Sequence, residues 1–127
     1  MPKAAKRPGL TQALGTALMR KAIASEKIWG QRPGEDAFEI RIEIGTPYQV
    51  GDDPHEWACP VSLLPLYDRL HDARAGSGFH ALCLASSLAL DLLHDFAEKG
   101  GALFYSPGED FPFEAYSFGI ANKRGSA

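Results

Sequence analysis

A chain of 127 residues, 45% apolar and 10% aromatic, holds enough hydrophobic mass for one ordinary core and is not a disordered composition. Its net charge of −3 conceals a division: residues 1–32 carry seven cations against Glu26, residues 33–118 carry fifteen carboxylates against four cations, and Lys123 and Arg124 close the chain. An acidic body disfavours nucleic acid as a partner, because phosphates are neutralised by Lys and Arg. No apolar segment follows the basic start and no unbroken apolar run is long enough for a membrane span, so the expected compartment is the cytoplasm.

Residues 1–10 hold two prolines, a glycine and three cations and read as a flexible leader. Thr11 can cap a helix running to about Ala24, with Leu14, Leu18 and Ala22 at four-residue spacing on one face and Arg20 and Lys21 towards its end. Its boundary is open, since Ile23–Trp29 can equally begin a strand. Gly30 to Gly34 is a turn. In Ala37–Ile44, Phe38, Ile40, Ile42 and Ile44 alternate with Glu39, Arg41 and Glu43, the pattern of a strand packed on one side and wet on the other. A hairpin with the segment before it follows.

Thr46 to Pro54 is expected as a loop, and Trp57–Leu66 as one strand pushed towards an edge or bulge by Pro60 and Pro65. Tyr67–Gly78 is a polar connection with a helical turn around Tyr67–His71. The stretch Phe79–Phe96, FHALCLASSLALDLLHDF, is the chain's central helix. At 100° per residue His80, Ser87, Asp91, His94 and Asp95 fall in one stripe, with apolar residues nearly everywhere else, so the helix is expected to be covered on most of its girth. Ser77 and Gly78 mark its start, Gly100 and Gly101 its stop. Ala102–Tyr105 is a short strand, Pro107–Pro112 a turn, Phe113–Phe118 a last strand, and 120–127 a flexible tail.

The order helix, strands, long helix, strands predicts an α+β domain over residues 11–119: an antiparallel or mixed sheet of four to five strands against one long buried helix, plus the N-terminal helix. Strict βαβ alternation and phosphate-loop motifs are missing. The runs Ile23-Ala24-Ser25, Ile44-Gly45-Thr46-Pro47, Trp57-Ala58-Cys59-Pro60 and Ala81-Leu82-Cys83-Leu84-Ala85 resemble a family of small bacterial proteins, a domain of unknown function. Its pattern pairs a W-x-C strand with an Ala-Leu-rich helix. The similarity covers about residues 23–105 and departs at Gly78, Phe79 and His80, where that family favours an acidic residue and Gln. It implies a compact α+β domain and brings no catalytic residue with it.

His55-x3-Cys59 and His80-x2-Cys83 supply the donor types of a Cys2His2 zinc site. Strand alternation instead puts Cys59 in the core with Trp57 and Val61, and Cys83 lies among leucines, so both are read as buried free thiols, and no metal, cofactor or catalytic residue is assigned. His80 with Cys83, and Asp91 with His94 and Asp95, are the helical spacings a nucleophile–base pair or a divalent site would use; the alternative to a binding role is a small metal-binding protein or enzyme using His55, His80, Asp91 and His94.

The preferred reading is a non-enzymatic protein-binding module with an acidic surface, immunity-protein-like or effector-chaperone-like. Its partner is another protein with a basic surface, or a second copy in a homodimer. Glu109, Asp110, Glu114, Tyr116 and Phe118 are the candidate binding residues, because alternation over 113–118 leaves aromatic rings among carboxylates on an outer strand.

Overall fold

The computed structural model of the chain describes residues 22–116. The leader 1–10, the expected helix from Thr11 to residue 21, Phe118 and the tail 120–127 lie outside the described residues. Strands β1 (Ala22–Gln31) and β2 (Phe38–Gly45) form the expected hairpin. Ala22–Ala24, expected at the end of a helix, open β1 instead, and their partners in the antiparallel ladder are Gly45 and Ile44. The turn between the strands closes with Glu35 N–H donating to the Arg32 carbonyl at 3.0 Å, and Gly34 takes a positive φ of 76° that side chains resist.

Cross-strand register fixes the two faces. Ala24, Glu26 and Ile28 stand opposite Ile44, Ile42 and Ile40, whereas Lys27 and Trp29 stand opposite Arg41 and Glu39. The first set faces the interior, where Ile28 and Ile40 are completely buried. The second faces out, with the Lys27 ammonium 5.7 Å from the centre of the Trp29 ring.

The expected loop after β2 contains a short strand, β3 (Tyr48–Gln49), and the expected strand 57–66 is two strands, β4 (Trp57–Cys59) and β5 (Val61–Leu64). Pro60 makes the division. It has no N–H for a ladder, and its carbonyl instead accepts from Gly45 N–H at 2.9 Å. A Cβ on Gly45 would lie 2.8 Å from the Pro60 ring, so glycine is what allows this approach. Beyond the break β5 pairs with β2, while β4 pairs with β3 and with β6 (Ala73–Ala75). No helical turn forms at Tyr67–His71. Tyr67 N–H donates to the Leu63 carbonyl at 3.0 Å and makes an isolated bridge there.

Helix α1 (Gly78–Glu98) starts where Ser77 caps it, its Oγ accepting from His80 N–H at 3.1 Å. It ends with Gly100 at a φ of 99° and Gly101 N–H donating back to the Phe96 carbonyl at 3.0 Å. Strands β7 (Ala102–Ser106) and β8 (Glu109–Asp110) complete two antiparallel sheets. One has the order β5-β2-β1-β7-β8 and the other β3-β4-β6. The α+β class holds, with two sheets where one was expected.

The helix packs on one face. Ala81, Ala85, Ala89, Leu93 and Phe96 are buried, a stripe stepping by four and then three residues. Its alanine half meets Ile44, Cys59 and Val61, and its bulky half meets Ile28, Ile40, Leu63, Leu103 and Phe111. Coverage over most of the girth, expected from the narrow polar stripe, is corrected: Phe79 is 77% exposed and Leu84 40%. Seated on alanines, the helix lies close to the strands. Leu82, Leu88, Leu90 and Leu92 then rest half-buried along its flanks, and no second described layer lies beyond them.

The expected strand at 113–118 is instead a 3-10 turn over Phe113–Tyr116. Pro112 cannot donate to a ladder, and its carbonyl accepts from Ala115 N–H at 2.9 Å. The rings here interlock rather than alternate. Phe111 meets Phe113 edge-on at 4.9 Å and stacks on Tyr116 at 4.6 Å, while the His94 imidazole stacks on Phe113 at 3.8 Å. Among the described residues no helix is long and apolar enough to cross a membrane.

Candidate functional site

Five strands spaced about 4.8 Å apart make a sheet roughly 19 Å wide, and one helix about 10 Å across cannot cover it. Where the cover runs out, a groove of about 330 Å³ opens between α1 and the start of the β1–β2 hairpin. Ala24, Glu26, Ile42 and Ile44 form its floor, Ser86, Ala89, Leu90 and Leu93 its helical wall, and Phe111, Ala115 and Tyr116 its closed end. The hollow originates in the cross-strand pairs. Isoleucines on β2 face Ala24 and Glu26 on β1, and neither fills an apolar layer.

Glu26 does not stand loose in this apolar setting. Tyr116 Oη donates to its two carboxylate oxygens, at 2.7 Å and 3.0 Å. Burial first, and then this hydrogen bond, push the Tyr116 hydroxyl well above its ordinary range, so it stays a donor at any physiological pH. The pair pins the 3-10 turn over the end of the groove and satisfies a carboxylate that would otherwise be costly to cover.

Over the described residues as a whole the charge is one-sided, although Glu26 is the one carboxylate among the residues lining the groove. Residues 22–116 contain all sixteen carboxylates of the chain and six of its cations. Two of those cations are already engaged, Arg41 with Glu39 at 3.3 Å and Lys99 with Asp95 at 3.0 Å. A third, Arg32, lies over the Phe38 and Phe96 rings at 5.1 Å and 5.4 Å. A smaller hollow of about 260 Å³ near Arg32, Tyr67, Asp95 and Lys99 carries both signs of charge, and its Asp95–Lys99 pair is self-satisfied.

The residues singled out in the sequence are dispersed. His55 lies in the loop before β4 with its side chain 85% exposed, its N–H donating to Asp53 Oδ1 at 2.8 Å. Cys59 is fully buried in β4, its thiol directed at the Gly45 carbonyl at 3.4 Å, and burial with the nearby Asp72 charge pushes it up to about 11. His80 is exposed in the first turn of α1, Cys83 is half-buried and free, and Asp91 is exposed. His94 is half-buried under Phe113. Among the described residues no three His, Cys, Asp or Glu side chains stand together in a way that could hold a metal ion.

Of the proposed binding residues, Glu109 and Asp110 are exposed on the edge strand β8, where Ser106 Oγ donates to Glu109 Oε1 at 2.7 Å. Glu114 is exposed on the 3-10 turn. Tyr116, expected as an exposed ring, is half-buried and walls the groove. Sequence reasoning missed Ser86, Ala89, Leu90 and the floor of the groove. The signal available was Glu26, a carboxylate at the inward phase of a strand. Comparison of the chain with protein-family models, with curated proteins and with solved structures returns no match.

Proposed function

We propose that this protein is a protein-binding module whose groove receives an amphipathic helix carrying cationic flanks. The observation that carries the reading is the coincidence of an open apolar groove with an acidic body: apolar anchors of a partner would enter between α1 and the hairpin, and its cations would meet the carboxylates of that body. This is the helix-in-groove mode of recognition, with electrostatics hastening encounter and the groove supplying residence time. Glu109, Asp110 and Glu114 belong to the acidic approach rather than to the anchor pocket. Tyr116 supports the end of the groove as a fixed wall. An immunity-protein-like or effector-chaperone-like role, and kinship with the small bacterial domain family resembled by the sequence, both accord with such a module.

The test is capture of a partner by the full-length protein with a photo-cross-linker at exposed Ala115, compared with a Ser86→Arg variant. Ser86 lines the groove and is only half-buried, so an arginine there blocks entry and repels a basic helix while sparing the core. The expected result is one specific partner, lost on Ser86→Arg and retained on Arg41→Glu at the outer face of the sheet. A partner retained by Ser86→Arg contradicts the reading.

A further inference from the structure

We propose that the outer face of the five-stranded sheet is the contact surface of a homodimer, in which a second copy of this chain stacks on the rows that hold Lys27, Trp29, Glu39 and Arg41. This face lies on the opposite side of the sheet from the groove, and the inference does not rest on the function proposed for the groove.

Strand register lays the face out in rows. Glu39 on β2, Trp29 on β1, Phe104 on β7 and Asp110 on β8 stand side by side across the sheet, and the neighbouring row is Leu64, Arg41 and Lys27. Two aromatic rings therefore sit on adjacent strands at the centre of the face. Both are half-buried, and neither joins the two core clusters through which α1 and the sheets pack. Leu64 adds an apolar side chain, 44% exposed, at one margin.

Charge indicates what covers the rings. Residues 22–116 hold sixteen carboxylates against six cations, so two copies repel over most approaches. In these two rows the signs instead balance: Arg41 and Lys27 stand in one and Glu39 in the other, with Arg41 3.3 Å from Glu39 and the Lys27 ammonium 5.7 Å from the Trp29 ring centre. A strongly basic partner would be repelled by the cations and an acidic one by Glu39 and the rest of the body. A second copy satisfies both signs.

The rows lie about 7 Å apart, two residues along a strand. A two-fold axis running across the strands between them exchanges the rows. Arg41 then faces the partner's Glu39 and Lys27 faces the partner's Trp29, and each contact recurs in reverse, as an isologous interface requires. Stacked sheets lie about 10 Å apart with strands inclined by about 30°, a gap that long side chains from both copies can fill. A face roughly 19 Å wide and about 20 Å deep offers about 400 Å² per copy, the scale of a transient interface, and the dimer is accordingly weak and reversible.

The experiment is sedimentation equilibrium of the full-length protein from about 10 μM to about 1 mM, the range a weak interface sets. Wild type is expected to pass from monomer to dimer. Glu39→Arg and Arg41→Glu each set like charges opposite one another across the axis and should weaken self-association at least about tenfold. An equimolar mixture of the two variants should regain the dimer, because each face then meets its complement, and so should the double variant Glu39→Arg/Arg41→Glu. The Arg41 and Glu39 side chains are 51% and 42% exposed, so the variants are expected to fold, which circular dichroism checks.

A wild type that stays monomeric throughout overturns the inference. So does a dimer that both single variants retain, or a mixture no more associated than its components. Ser86→Arg, within the groove, should leave the dimer unchanged, and its loss in that variant would assign self-association to the groove and likewise overturn the proposal. Failure to capture a partner at Ala115 removes the proposed function and leaves the dimer standing, while a monomeric wild type that still captures one does the reverse.

Discussion

Tyr116 donates its hydroxyl to the carboxylate of Glu26, ninety positions earlier in the chain, at 2.7 Å and 3.0 Å. One side chain thereby ties the last described turn to the first strand across the end of the groove. Tyr116→Phe keeps the ring stacked on Phe111 and removes only the donor. It should lower stability by about 1–2 kcal/mol in urea unfolding, the usual cost of a lost hydrogen bond to a charged group that is partly covered. An unchanged midpoint would show that water replaces the hydroxyl without loss.

A second tyrosine–carboxylate pair makes stability depend on alkaline pH. Tyr48 Oη donates to Asp72 Oδ2 at 2.5 Å, and that bond, with burial and the Asp72 charge, pushes the hydroxyl up to about 12. The native value lies above the unfolded one of about 10, so the contribution is complete below about pH 10 and is lost as pH rises through the native value. Denaturant midpoints of wild type should fall over that window, and Tyr48→Phe should flatten the fall.

The helix offers a direct contrast between its two sides. Leu93 is completely buried and Leu84 is 40% exposed, yet both are leucines in one apolar run. Leu93→Ala should cost about 2–5 kcal/mol through lost burial and the cavity left behind. Leu84→Ala should fall within about 0.5 kcal/mol of wild type, as surface substitutions do. Comparable losses at both positions would mean that the outer side is covered after all.

The two thiols should differ in reactivity. Cys59 is fully buried with its thiol pushed up to about 11, and Cys83 is half-buried. A chromogenic disulfide reagent at neutral pH should modify Cys83 in the native protein and reach Cys59 only on unfolding, because thiolate and access are both needed. Rapid modification of native protein after Cys83→Ser would contradict this.

The α+β class, the hairpin, the helix and its caps are legible in the sequence because each is written locally. Alternation at Phe38–Ile44 specifies a one-sided strand, and Ser77 with Gly100 specifies where the helix begins and ends. What is not legible depends on partners distant in the chain. Pro60 announces a break, but not that Cys59 and Val61 will join different sheets. The leucines of α1 imply wrapping, whereas its alanines at 81, 85 and 89 decide which side is seated. The run from Phe113 reads locally as alternation, whereas the 3-10 turn over Phe113–Tyr116 depends on Ala115 N–H reaching back to the Pro112 carbonyl and on rings packing against Phe111 and His94. The groove is the least visible feature, since it arises from Ala24 and Glu26 standing opposite Ile44 and Ile42, a register that no local pattern states.

The most direct measurement is titration of the partner captured at Ala115 against full-length wild type and against Ser86→Arg, each at low and at moderate salt. A helix-receiving groove in an acidic body predicts binding that weakens as salt rises and falls at least about tenfold with the single substitution, a change of about 1.4 kcal/mol. Affinity unmoved by the arginine, at either salt concentration, would place recognition elsewhere on the molecule.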